Sequence, residues 1–150
     1  MMTNWRVILD ENINKKTFSV FLPFNLKKDI KKYKINEMDL VDYLLVLLNK
    51  DYRGPSFVDI YYQFLDVDKI KYKISYAKSR YTKTNDNHGK SGGYRLIVLV
   101  DMYSKLAIVL HIYSKKDCDN ITKAEEKLLR DLIDAYFYSK NKEINNEKYS

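Results

Sequence analysis

The sequence predicts an α+β domain, and three observations carry that prediction. A leucine-rich helix with its own start signal follows Asn36. A strict period of two opens at Lys69 and leads into two further apolar strands. A capping box at Thr122 then launches an amphipathic closing helix. The predicted order is β-α-α-β-β-β-α, with strands and helices grouped rather than alternating. At 150 residues the chain reads as a single domain, large enough to bury a core without disulfides.

Each element has a local reason. Residues 5–9 and 18–22 are strand candidates separated by a polar segment and can form an N-terminal hairpin, with residues 1–16 as an extension. Pro23 and Asn25 punctuate, and residues 26–33 make a short, lysine-rich helix. Asn36 is a good N-cap with Asp39 at N3, and Ile35 can staple onto Leu40. Leu40, Val41, Leu44, Leu45, Leu47 and Leu48 then give a largely buried helix that stops near Asp51. Arg53-Gly54-Pro55-Ser56 is a turn. Residues 57–66 are ambiguous, because Val58, Ile60, Tyr62 and Phe64 alternate while Tyr61 and Leu65 break the pattern.

From residue 69 the alternation is clean. Ile70, Tyr72, Ile74 and Tyr76 share one face, and Lys69, Lys71, Lys73 and Ser75 the other. Residues 77–89 read as a polar loop carrying Lys78, Arg80, Lys83 and His88. Residues 93–100 and 105–112 pair as an antiparallel hairpin around 101–104, each apolar on both faces, as strands covered on two sides are. Leu128, Leu129, Leu132, Ile133 and Tyr136 form the stripe of the closing helix, and residues 140–150 read as a frayed polar tail.

Composition narrows the function classes. The net charge is +7, from 27 basic and 20 acidic residues, and 14 tyrosines accompany it. Such a surface weights the reading modestly towards nucleic acid, although a lysine and tyrosine bias also describes a solvated basic surface. The lone Cys118 leaves no internal disulfide and suits a reducing, cytoplasmic setting. No apolar run reaches the length of a membrane span, and the first residues carry no secretory signal, so no membrane association is expected.

The chemistry concentrates at His88-Gly89-Lys90-Ser91-Gly92-Gly93-Tyr94-Arg95, which opens directly into an apolar strand. Gly89-Lys90-Ser91 is like the end of a nucleotide-binding phosphate loop, but Thr84 stands where that motif has glycine. A strand follows, moreover, where that loop needs a helix N-terminus. The two histidines and Cys118 lack metal-ligand spacing and sit in cationic surroundings, so neither a metal nor a small-molecule cofactor is expected. What remains is phosphate chemistry carried by cations. Attack of an RNA 2′-OH needs a base, cations for the phosphorane charge, and an acid for the leaving oxygen. Clustered cations depress a lysine towards the range of a base, and Lys73, Lys78, Lys90 and Arg95 can form such a cluster if strands 69–77 and 93–100 pair.

One hairpin later, His111, Tyr113 and Lys115 share strand parity beside Lys116, and aromatic rings there can stack on an unpaired base. Plainer readings stand beside these. A row such as Lys69, Lys71 and Lys73 is more often a solvated strand face, and a histidine inside an apolar strand more often a satisfied core residue. Gly92-Gly93 can serve a turn alone. Arg95 is the hardest to dismiss, because a charge in a buried strand needs a partner.

Gly89-Lys90-Ser91-Gly92-Gly93-Tyr94-Arg95-Leu96-Ile97, then Ile112-Tyr113-Ser114-Lys115 and a Thr-capped helix, resembles the RelE/HigB-like toxins of bacterial type II toxin–antitoxin modules. The likeness is to the HigB-like branch and covers about residues 69–135. It implies a small RelE-like fold, an antiparallel sheet packed against helices. It also implies a metal-independent endoribonuclease acting on mRNA in the ribosomal A site, a translation-inhibiting toxin neutralised by a cognate antitoxin protein. Carried over by position, Lys90 and Arg95 match the signature's basic pair, and Tyr113 and Lys115 its strand-end motif. Ser75 departs from it, standing where a basic residue is expected, and Lys73, Lys78 or Arg80 can compensate.

On this reading Arg95 binds the scissile phosphate, while Lys90 with Lys73 or Lys78 moves protons and stabilises charge. Tyr113 and His111 orient the base or the 2′-OH. Arg80, Lys115, Lys116 and His88 hold the RNA. The rivals are a catalytically silent RNA- or protein-binding module on the same scaffold and, more distantly, a small basic DNA-binding protein, for which no recognition helix stands out.

Overall fold

The computed structural model of the chain describes residues 5–8, 17–51, 57–83, 93–116 and 121–149. The elements run β1 (Trp5–Ile8), β2 (Ser19–Pro23), a 3-10 turn (Phe24–Leu26), α1 (Lys27–Lys32), α2 (Glu37–Asp51), β3 (Phe57–Val67), β4 (Ile70–Tyr81), β5 (Tyr94–Asp101), β6 (Leu106–Ser114) and α3 (Lys123–Tyr149). One six-stranded sheet has the order β1-β2-β6-β5-β4-β3. The fold is α+β, as expected, and the N-terminal hairpin forms, β1 pairing antiparallel with β2.

The sheet is mixed rather than purely antiparallel, because β2 lies parallel to β6. Two helices and three strands intervene between them, ample chain for the crossover that a parallel neighbour requires. All other neighbours are antiparallel.

Both faces of the sheet are covered. Leu26, Ile30, Ile35, Leu40, Val41, Leu44 and Leu48 pack on one face, against Val20, Leu22, Leu96, Val98, Val100, Ala107, Val109 and Ile112. On the other, Ile133 of α3 closes a smaller core with Tyr76, Ile97, Leu99, Ile108 and Tyr113. Even-numbered residues of β5 enter the first core and odd-numbered ones the second, which is why this strand is a continuous apolar run.

The capping signals act as written. Asp39 N–H donates to Asn36 Oδ1 at 3.0 Å, and Ile35 and Leu40 share the first core. Thr122 N–H donates to Glu125 Oε1 at 2.9 Å, and Glu125 N–H returns the bond to Thr122 Oγ1 at 3.1 Å. Asp101, fully buried, accepts from the backbone N–H of Tyr103 and of Ser104 at 2.9 Å each, and from Tyr136 Oη at 2.6 Å. One carboxylate thus sets the β5–β6 turn and clamps α3 to it.

Four expectations are corrected. Residues 57–66 are a strand, β3, so four strands rather than three follow the helices. Its pattern was unreadable because the register shifts between Asp59 and Tyr61. The bulge turns β3 over beyond it, yet Val58, Ile60, Tyr62 and Phe64 are exposed on both sides of it while Phe57 and Leu65 are buried, so the apolar alternation marks the water-facing residues of an edge strand. β4 runs on to Tyr81, taking Lys78 and Arg80 out of the loop and into the sheet. The stripe of α3 is narrower than its leucines imply, since Leu128 and Leu132 are exposed. Finally, the C-terminal segment is helical to Tyr149 rather than frayed. Lys140 Nζ donates to Ser104 Oγ at 2.8 Å, tying that part of the helix to the β5–β6 turn, and no glycine or proline interrupts the rest. The turn at 53–56 lies outside the described residues.

Candidate nucleic-acid interface

The central strands place the predicted residues by register. Arg80 of β4 pairs with Arg95 of β5, and Arg95 pairs in turn with Tyr113 of β6. Directly opposed residues share a face, so these three form one row across three strands. The neighbouring row is Lys78, Ile97 and His111. Ile97 and Tyr113 belong to the core beneath α3, which fixes both rows on that side of the sheet. The helix covers one end of the face and leaves the cationic end open: Arg80 is exposed, and Lys78, Arg95 and His111 are half-buried.

Within the rows the contacts are few and specific. Arg95 Nη1 donates to the Tyr94 carbonyl at 3.3 Å. Among the described residues no carboxylate ion-pairs with Arg80 or Arg95. Two guanidinium groups are thus held side by side across a strand pair, an arrangement that repels unless an anion bridges it. Tyr113 is buried, its ring stacked on His111 with centroids 5.6 Å apart. His111 Nε2 lies 3.5 Å from Glu125 Oε2. Glu125 therefore caps α3 with one oxygen and faces the site with the other. Hydrogen bonds from Thr122 hold its carboxyl below the usual carboxylate range, and the His111 charge adds to this.

Behind this face the backbone is braced from the other side. Tyr43 of α2 donates its hydroxyl hydrogen bond to the Arg80 carbonyl. Tyr81 Oη donates to Asp39 at 2.9 Å, and burial with that bond pushes the Tyr81 hydroxyl pKa far up. Lys83 bonds the Tyr33 carbonyl at 3.0 Å and sits over the Tyr94 ring. The end of β4 is thereby pinned just where it carries Arg80.

Not every predicted residue joins the site. Lys73 differs from Lys78 by an odd number of positions on an unbroken strand, so it lies on the opposite face, ion-paired with Asp59 and over the Tyr62 ring at 5.5 Å. Ser75 is fully buried on that same face, 3.2 Å from Asp59 Oδ1. A basic residue at position 75 would not reach Arg95, so Ser75 is no gap in the cationic rows, where Arg80 supplies the charge from β4. Lys115 and Lys116 are exposed in the turn after β6, beyond the strand, with Lys115 N–H on the Gly93 carbonyl at 3.2 Å. Lys90 and His88 lie outside the described residues. Glu125 was legible only as a cap; its second contact depends on where α3 begins relative to β6. Among the described residues no three His, Cys, Asp or Glu side chains converge, and no helix is long and apolar enough to cross a membrane.

The family model described as the RelE toxin of the RelE/RelB toxin–antitoxin system matches residues 75–149, which contain β4 from Ser75 onward, β5, β6 and α3. No curated protein and no solved structure matches.

Proposed function

Taking as premise that the chain belongs to the RelE toxin family of toxin–antitoxin systems, we propose that it is an endoribonuclease that cuts mRNA in the ribosomal A site without a metal. The observation that supports this most is the row Arg80–Arg95–Tyr113, a phenol and two guanidinium groups without an ion pair among the described residues, on one sheet face. Planar, permanently charged forks suit a pentacoordinate phosphorane, because they hold two equatorial oxygens and need no reorganisation as charge grows.

The reaction proceeds by attack of the 2′-oxygen on the adjacent phosphorus. A base takes the 2′-OH proton, the P–O5′ bond breaks, and an acid protonates the departing 5′-oxygen. The products are a 2′,3′-cyclic phosphate and a 5′-hydroxyl. Arg95 and Arg80 clamp the phosphate. His111 and Lys78, one row away, are the proton-transfer candidates among the described residues, with Lys90 contributed by the segment ahead of Gly93. Tyr113, buried behind the His111 ring that stacks on it, acts by orienting that ring, and Lys115, Lys116 and His88 hold flanking RNA. Lys73 has no part, because it faces away. Glu125 positions His111. A cognate antitoxin is the partner that the family implies.

Induced expression in bacteria tests this reading. Growth arrest with mRNA cut inside codons, lost in Arg95→Ala and Arg80→Ala, is expected. Harmless expression with intact mRNA would overturn it, and tight RNA binding without cleavage would make the chain a silent binding module.

A further inference from the structure

The opposite side of the molecule carries a second cationic concavity, apart from the arginine rows. It measures about 1030 Å³ and is walled by the 3-10 turn, α1 and the start of α2. Lys27, Lys28, Lys31 and Lys34 line it together with Phe24, and Glu37 is the one acidic lining residue. Among the described residues none of these four lysines is ion-paired. Phe24 is 58% exposed, a large apolar ring left in water at the edge of the groove, with Lys27 Nζ 5.4 Å from its centroid.

The backbone places one of these lysines against its own preference. α1 ends with Ile35 N–H on the Ile30 carbonyl at 2.9 Å and Lys34 N–H on the Lys31 carbonyl at 3.2 Å, the two bonds of a Schellman motif. Lys34 is its left-handed residue, at φ 52. Glycine is usual there, because a Cβ disfavours that conformation. Lys69 and Lys105 are left-handed as well, in the β3–β4 and β5–β6 turns, so what sets Lys34 apart is its place: the motif turns it onto the wall of a groove already lined by three other lysines.

We propose that this groove is a second RNA-binding surface, which takes an unpaired RNA segment by its phosphates and stacks one base on Phe24. The chemistry favours RNA over an acidic protein. The point charges of these lysines meet carboxylate and phosphate alike, so the ring of Phe24 decides between them. An exposed ring has no role towards carboxylates but is a platform for any base. Because the groove backs onto the core opposite the arginine rows, binding here stands apart from cleavage and does not require it. Occupying both faces at once raises the avidity for a large RNA partner without any new contact at the reacting phosphate.

The test uses the full chain in an Arg80→Ala/Arg95→Met background, so that binding reports the groove. The probe is a fluorescein-labelled oligouridylate of about 12 nucleotides with 2′-O-methyl riboses, which cannot be cut by 2′-OH attack. Lys27→Glu/Lys31→Glu is expected to weaken binding about tenfold or more and to flatten the salt dependence by roughly 1.4 in the log–log slope, two phosphate contacts at about 0.7 each. Phe24→Ala weakens binding without moving the melting temperature. Lys34→Gly raises the melting temperature while lowering affinity, a pairing that a merely structural lysine cannot give. Unchanged affinity and slope in the double charge reversal overturns the proposal. So does displacement of the RNA by polyglutamate with no effect of Phe24→Ala, which would assign the groove to an acidic protein. Neither result bears on whether the arginine rows cleave.

Discussion

Replacing Arg95 by methionine should stabilise the fold while abolishing cleavage. Arg80 and Arg95 are direct cross-strand partners, so their Cβ atoms are about 5 Å apart and their guanidinium groups on the order of 7 Å. At that separation two positive charges repel by about 0.6 kcal/mol in bulk water and about 2.4 kcal/mol at an effective dielectric of about 20. Arg80 is exposed and Arg95 half-buried, so the low end of that range applies, and physiological salt with a Debye length of about 8 Å removes more than half of it. Methionine keeps most of the aliphatic stem, so little packing is lost. The expected gain is therefore about 0.5–1 kcal/mol at low salt, or about 1–4 °C in melting temperature for a chain of this size.

Thermal melts at low and at about 1 M salt check this, since the gain should vanish when the charges are screened. Added phosphate should stabilise the wild type more than the variant. Cleavage should fall at least about 100-fold, as when a donor to developing transition-state charge is removed. A melting temperature that falls on substitution at low salt would refute the reasoning, because it would mean that Arg95 is held by an attractive partner and is structural.

Four other outcomes follow from the same geometry. Ile133→Ala removes the fully buried anchor of α3 and should cost about 2–5 kcal/mol in chemical denaturation; a loss below about 1 kcal/mol would show that the helix is not held there. Tyr136→Phe takes a hydrogen bond from buried Asp101 and should cost about 1–3 kcal/mol, while the unperturbed far-UV spectrum shows the helix still formed. Thr122→Ala removes the Oγ1 that accepts from Glu125 N–H and should cost about 1 kcal/mol, while the Thr122 backbone N–H, the main cause of the lowered Glu125 carboxyl, stays. The sign for Glu125 itself is that of a depressed acid: its contribution is present at neutral pH and disappears as pH falls through its lowered folded value. Glu125→Gln should accordingly flatten the acid limb of the stability profile, and an unchanged limb would remove Glu125 from the account.

What could be read beforehand follows from how local each signal is. The Asn36 cap, the Thr122–Glu125 box and the β5–β6 hairpin are short-range and were legible. The bulge near Ile60 was not, because one extra residue inverts the face of everything beyond it and leaves no compositional mark. Lys78, Ser79 and Arg80 are polar, so the strand that carries them looks like a loop until Arg95 is found opposite. The exclusion of Lys73 depended on the same extension, since residues 73 and 78 can be compared by parity only once one unbroken strand carries both. Arg95 and Tyr113 were identified as partners in function from sequence, but their adjacency came only from the register of three strands.

The central claim is that the Arg80–Arg95–Tyr113 face cuts RNA by attack of its own 2′-oxygen. Ribosomes programmed with an mRNA carrying a single 2′-deoxy nucleotide at the cut position, alongside the all-ribose message, test it directly by the chemistry of the new ends. Cleavage of the ribose message only is expected, leaving a 2′,3′-cyclic phosphate and a 5′-hydroxyl, with both products absent in Arg95→Ala. Cleavage at the deoxy position, or ends bearing a 5′-phosphate, would contradict it.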